Sequence, residues 1–118
     1  MEYRVEIGGH PVVLKYTVNA MCAMEDVAGG ALDTLMDRQF TAARLLLWGG
    51  MLGADSSVTL LQAGQWIGEH LASGGTLEEV VDHCAEGMRL AGFFGPAARE
   101  AAEANALSLR TTTHSSLS

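Results

Sequence analysis

Apolar residues occupy alternate positions at the start of the chain, which is the pattern of a β-strand with one buried face. This alternation covers residues 2–7, and residues 12–18 are again rich in β-branched side chains. Between the two runs, Gly8 and Gly9 supply the positive φ angles that a tight turn needs. The pattern therefore predicts an N-terminal β-hairpin.

From residue 19 onward, apolar residues recur at intervals of three and four, the spacing of one face of an α-helix. Asn19 can cap a first helix, which Gly29-Gly30 ends. After a short turn over residues 31–37, a second helix is predicted over residues 40–52.

Two capping signatures mark the starts of a third and a fourth helix. Thr59 with Gln62, and Thr76 with Glu79, have the spacing at which two side chains cap each other's backbone N–H groups. The fourth helix has the most regular apolar face in the sequence, formed by Leu77, Val80, Val81, Cys84, Met88 and Ala91.

The chain is predicted to form an α+β fold that is mainly α, with a hairpin followed by a bundle of four or five helices. The sequence Phe93-Phe94-Gly95-Pro96 ends the fourth helix, so the hairpin and helical domain is assigned to residues 1–95. Residues 96–118 are assigned to an alanine-rich helix that packs weakly and a flexible Ser/Thr-rich tail.

The second helix has an unusual composition, because residues 44–52 are apolar on almost every side. Such a helix has to be surrounded by other elements. It is either the central strut of a single core or a segment that partly faces a partner protein. Gly49 and Gly50 each cost about 1 kcal/mol relative to alanine, so we expect another backbone to approach closely there.

Length and charge exclude several classes of function. With 118 residues and 48% hydrophobic content, the chain can build one sizeable core. Its net charge is −7, Lys15 is the only lysine, and the six arginines are scattered, so no surface for nucleic acid or an anionic membrane is predicted. The longest apolar run is about half the roughly 20 residues that span a bilayer. We expect a cytoplasmic protein.

The cysteines and histidines do not have the spacing of a metal site. Cys22 and Cys84 lie in apolar helical patterns and are expected to be buried, reduced thiols. The nearest candidate set is His83 and Cys84 with Cys22 and His10, but His83 and Cys84 diverge by about 100° on a helix, so they cannot easily share an ion. The sequence predicts no metal and no cofactor.

The acidic residues likewise do not suggest catalysis. Glu25-Asp26 and Glu78-Glu79 are neighbours that point apart on a helix, and the second pair suits the positive end of a helix dipole. Both pairs are therefore expected on solvated faces, and no enzyme activity is predicted.

Arg44 is the one charged residue in the apolar helix. Three roles are open for it: its head group can snorkel to solvent, it can pair with Glu25 or Asp26, or it can contact a partner. Met51 lies on the same helix face.

Trp66 lies about 120° from the apolar stripe of the third helix, so it is predicted to be outside the main core. A tryptophan in that position is typical of a contact with another protein, whereas Trp48 is most simply a core residue. The residues predicted to bind a partner are Arg44, Trp48, Met51, Trp66, His70, Phe93 and Phe94.

Three segments, in this order, resemble the tail assembly chaperones of long-tailed phages and of gene transfer agents. They are residues 16–26, 44–52 and 58–64, with sequences YTVNAMCAMED, RLLLWGGML and VTLLQAG. In that family a short β segment leads into an Asn-Ala-hydrophobic-x-x-Glu helix, and a leucine-tryptophan helix and a threonine-capped helix follow. The resemblance covers roughly residues 2–68.

The resemblance implies a non-enzymatic protein that self-associates in the host cytoplasm. Members of the family coat the long, helical tape measure protein, help to recruit tail tube protein, and are absent from the finished particle. Some members are also made as a longer fusion by ribosomal frameshifting. Apolar surface for a helical client and net charge that keeps the assembly soluble are both encoded in this chain.

Two other functions stay open. One is a structural phage component, such as a tail completion or connector protein. The other is a small enzyme or ligand-binding domain in which His83 or Glu25 would be needed for binding.

Overall fold

The computed structural model describes residues 2–29 and 38–93, which form a two-stranded antiparallel hairpin followed by four α-helices. The predicted α+β fold that is mainly α is therefore confirmed. The predicted features at residues 31–37 and 96–118 lie outside the described residues. The elements are β1 (Tyr3–Ile7), β2 (His10–Leu14), α1 (Val18–Ala28), α2 (Gln39–Ala54), α3 (Leu60–Ala72) and α4 (Leu77–Leu90).

The hairpin has the predicted turn. Ile7 pairs with His10, and both intervening glycines have positive φ angles, 60° at Gly8 and 83° at Gly9. Burial alternates along β1 and is complete at Ile7. The strand face predicted from the alternation is thus the face that packs on the helices.

The second strand is shorter than predicted, and α1 begins earlier. β2 ends at Leu14 because Tyr16 turns into the core and Thr17 caps the helix. The Thr17 hydroxyl accepts a hydrogen bond from the Ala20 N–H at 3.0 Å, so Asn19 lies in the first turn and is not the cap.

Other predicted helix ends are confirmed. Gly29 ends α1 in the left-handed conformation, with φ of 78°. At the start of α4, Thr76 and Glu79 form the full capping box, with hydrogen bonds of 2.9 and 3.1 Å. Thr59 caps α3 by accepting from the Gln62 backbone N–H at 3.1 Å, but the predicted return bond from the Gln62 side chain is not formed.

Helix α2 is the central strut of the domain. It packs against β2, α1, α3 and α4. Leu45, Leu47 and Met51 are all buried, and Leu47 is completely so. Most of residues 44–52 are therefore enclosed by the chain's own elements, whereas Arg44 is exposed.

The end of β2 meets α2 at unusually short range. The Lys15 N–H donates to the carbonyl of Gly50 at 2.8 Å, and the Tyr16 hydroxyl donates to the carbonyl of Leu46 at 2.5 Å. A β-carbon at Gly53 would overlap the carbonyl group of Lys15. The expected close approach of backbones is thus present at Gly50.

A β-carbon at Gly50 would itself lie 2.8 Å from the Cζ atom of Tyr16, and a side chain also packs against Gly49. A β-carbon there would lie 2.6 Å from the Cγ atom of Met24. Met24 is completely buried between α1 and α2, so this glycine makes room for a methionine and not for a second backbone.

We predict that Gly53→Ala lowers the free energy of unfolding by roughly 1–3 kcal/mol, because the new methyl group forces α2 away from β2. Gly68→Ala is the matched control: no atom lies within 4 Å of the β-carbon position, and alanine favours the helix by up to about 1 kcal/mol. Urea denaturation of both variants measures the difference. A Gly53→Ala protein as stable as the wild type would contradict the close contact.

Candidate partner-binding surface

Two exposed apolar side chains lie on neighbouring helices. Phe40 of α2 leaves 68% of its surface exposed, and Leu61 of α3 leaves 70%. Leu61, Gly64 and Gly68 follow one another at helical spacing, as do Phe40 and Arg44. We call these five residues the α2–α3 surface.

A shallow groove of about 210 Å³ crosses this surface. Its lining is formed by Phe40, Thr41, Arg44, Gly64 and Ile67. The stem of Arg44 lies over Gly64, where its Cδ atom is 3.3 Å from the position of a β-carbon. The groove exists because α3 carries no side chain at that point.

Arg44 extends its charged end into solvent. Its side chain is exposed, and it forms no hydrogen bond or ion pair within the part of the chain that the structure describes. Of the three roles open for it, snorkelling is observed and the pairing with Glu25 or Asp26 is not formed. Contact with a partner stays a prediction.

Two other predicted partner residues on α2 are held by the domain itself. Trp48 is half-buried, and its indole N–H donates to the carbonyl of Val58 at 3.3 Å. Met51 is only 4% exposed and belongs to the core, so its predicted place on an interface is corrected.

Trp66 lies at the edge of the core and is half-buried. Its ring stacks on the imidazole of His10, with ring centroids 4.4 Å apart and planes 12° from parallel. His10 in turn is 2.8 Å from a carboxylate oxygen of Glu69. The hairpin therefore covers one face of Trp66, a contact that helix periodicity alone cannot predict.

His70 joins three elements. Its Nδ1 atom accepts from the Gly8 N–H at 3.4 Å, and its Nε2 atom lies 3.0 Å from the Glu79 carboxylate. His70 thus connects the hairpin turn to α3 and α4, and its contact with a partner stays a prediction.

The remaining predicted residues, Phe93 and Phe94, follow α4 in the sequence. Phe93 is 36% exposed. Phe94 lies outside the described residues.

The two cysteines differ in environment. Cys84 is completely buried, and burial raises the pKa of its thiol to about 12. Burial also raises the pKa of the neighbouring Tyr16 well above its ordinary value. Cys22 is exposed on α1, which corrects the expectation that both thiols are buried.

Within residues 2–29 and 38–93, no three His, Cys, Asp or Glu side chains are grouped to hold a metal ion. In the same ranges, no helix combines the length and the apolar character needed to cross a membrane. Comparisons with protein-family models, with curated proteins and with solved structures gave no match. Function is therefore inferred from the surface itself.

We predict that a thiol reagent such as DTNB modifies Cys22 quickly in the native protein at pH 8, and Cys84 only on unfolding. The reason is that Cys84 is both inaccessible and protonated at that pH. Cys22→Ser should abolish the fast phase. Rapid modification of both thiols in the folded wild type would be inconsistent with the burial of Cys84.

We also predict that the Glu79 junction loses stability in acid. The Thr76 backbone N–H, and secondly His70, hold the pKa of Glu79 below its ordinary value of 4.5. A lowered carboxyl pKa gives stability that is complete above pH 4.5 and is lost as the pH falls through the lowered pKa.

Urea midpoints at pH 7 and pH 3 test this expectation. Glu79→Gln should be less stable than the wild type at pH 7 and should lose less stability on acidification. Glu78→Gln is the control, because Glu78 is exposed in the same turn and makes neither hydrogen bond. Equal acid sensitivity of wild type and Glu79→Gln would refute the assignment.

Proposed function

We propose that this protein is a phage tail assembly chaperone that binds the tape measure protein, keeps it soluble and helps tail tube assembly. The α2–α3 surface is the observation that carries the proposal. It exposes two large apolar side chains, Phe40 and Leu61, beside a groove.

The physical character of the chain supports this proposal. A long helical client exposes apolar stripes that aggregate unless another apolar surface covers them. The chaperone would cover these stripes with its own apolar surface. Its net charge of −7 would make the complexes repel one another and so stay in solution.

The segments that resemble the chaperone family also lie together in the fold. Residues 16–26 contain the Thr17 cap and most of α1, residues 44–52 lie in α2, and residues 58–64 form the start of α3. Helix α2 packs against both α1 and α3. The resemblance therefore corresponds to one contiguous part of the molecule and not to three unrelated stretches.

Four further features belong to the same proposal: self-association, the tail tube protein as a second partner, action in the host cytoplasm, and absence from the mature particle. The alternative is a structural tail completion or connector protein. A structural component stays in the particle and a chaperone leaves it, so the two are separable by analysis of purified particles.

The test is co-expression with the tape measure protein. We expect its gene to be a very long reading frame near this one that encodes a mainly helical protein. The soluble fraction of that client should rise severalfold when the chain is present. The double variant Phe40→Ser/Leu61→Ser should lose most of the effect, because its α2–α3 surface is polar.

Val18→Ser is the matched control for this experiment. Val18 is 68% exposed, as Phe40 is, but it lies on α1. It should solubilise the client as the wild type does. The chaperone proposal would be contradicted if the client stayed insoluble when co-expressed with the wild type. It would also be contradicted if purified phage particles contained this protein in stoichiometric amounts.

A further inference from the structure

We infer that the segment bound by the α2–α3 surface is an amphipathic α-helix that places a carboxylate against Arg44. This inference rests on the proposed function and adds what the client segment has to look like. It follows from the shape of the groove and from the state of its one charge.

The shape of the groove fits a helix. Phe40 and Leu61 project from different helices, and the groove beside Phe40 is lined by Gly64, which has no side chain, and by the Arg44 stem that lies over it. A third helix can therefore approach α2 and α3 closely, with its own apolar side chains against the two exposed ones. From Phe40 to Arg44 is one helical turn, about 6 Å, so this part of the contact spans about one turn of the client.

The charge at the groove specifies the client further. Arg44 lines the groove and forms no ion pair within the described residues. A wholly apolar helix would take this guanidinium out of water without a partner, which is costly. A client carboxylate at that place provides the partner and forms a charge-assisted hydrogen bond.

The rest of the molecule makes this pairing selective. The net charge of −7 means that an acidic client is repelled over most of the surface and attracted at Arg44. The carboxylate therefore sets the register in which the client helix lies.

A second copy of the chain fits the surface less well. Arg44 lies directly beside Gly64, in the middle of the surface. A two-fold axis passing there would bring two Arg44 side chains together, and each copy carries a charge of −7. The acidic helix is for this reason the occupant that we assign.

The probe is a set of overlapping peptides of about 20 residues, each about 30 Å long as a helix, that covers the tape measure protein. Binding to the full chain is measured by fluorescence anisotropy at low and high salt. Peptides that bind should carry Asp or Glu within an apolar helical stripe. Their affinity should fall as the salt concentration rises.

Variants of Arg44 test the pairing directly. Arg44→Glu should weaken the tightest peptide at least about tenfold, and Arg44→Lys should weaken it less. Arg4→Glu makes the same charge change on the hairpin, where Arg4 is exposed, and should leave the affinity nearly unchanged. Replacing the peptide's carboxylate by lysine should restore binding to Arg44→Glu. Circular dichroism melting confirms that each variant is folded.

Each other outcome has a distinct meaning. If Arg44→Glu and Arg4→Glu bind the tightest peptide with equal affinity, whether that affinity is unchanged or weakened, the inference fails while the proposed function stands. The inference also fails, and the proposed function again stands, if no peptide binds although the full-length client is solubilised. If the wild type neither binds peptides nor solubilises the client, both fail. A dimer in sedimentation analysis that Arg44→Glu alters would overturn the inference in favour of a second copy.

Discussion

The fold depends on the contact between the end of β2 and the middle of α2. There the Lys15 N–H bonds to the Gly50 carbonyl and the Tyr16 hydroxyl to that of Leu46. This arrangement satisfies polar groups at the edge of a core that is otherwise apolar. It also encloses the most apolar helix of the chain. The outer side of α2 and α3 still exposes Phe40 and Leu61, and this is the surface that we propose for a partner.

The sequence predicted those parts of the fold that are determined by residues within about four positions of each other. Gly8 and Gly9 make the hairpin turn, Gly29 ends α1, and Thr76 begins α4 with its capping box. The end of β2 was not predictable in this way. Residues 15–18 have strand propensity, but burial of Tyr16 and the cap formed by Thr17 decide the local conformation.

The candidate site was predictable only in part, for a similar physical reason. Arg44 is conspicuous in the sequence as the only charge in an apolar run. The exposure of Phe40 and Leu61 is not, because periodicity cannot tell an apolar residue that packs on a neighbouring helix from one that has no neighbour. The burial of Met51 and the stack of His10 on Trp66 depend on contacts between distant parts of the chain.

The glycines of α2 also matter for identifying homologues of this protein from their sequences. Leucine and alanine on a buried helix can exchange with other apolar residues at modest cost, so their identities drift. Gly50 and Gly53 have no such freedom, because Tyr16 and the Lys15 carbonyl occupy the space that any β-carbon would need. Two glycines three residues apart, facing the segment that follows β2, are therefore expected to vary less among related chains than the leucine-rich run around them.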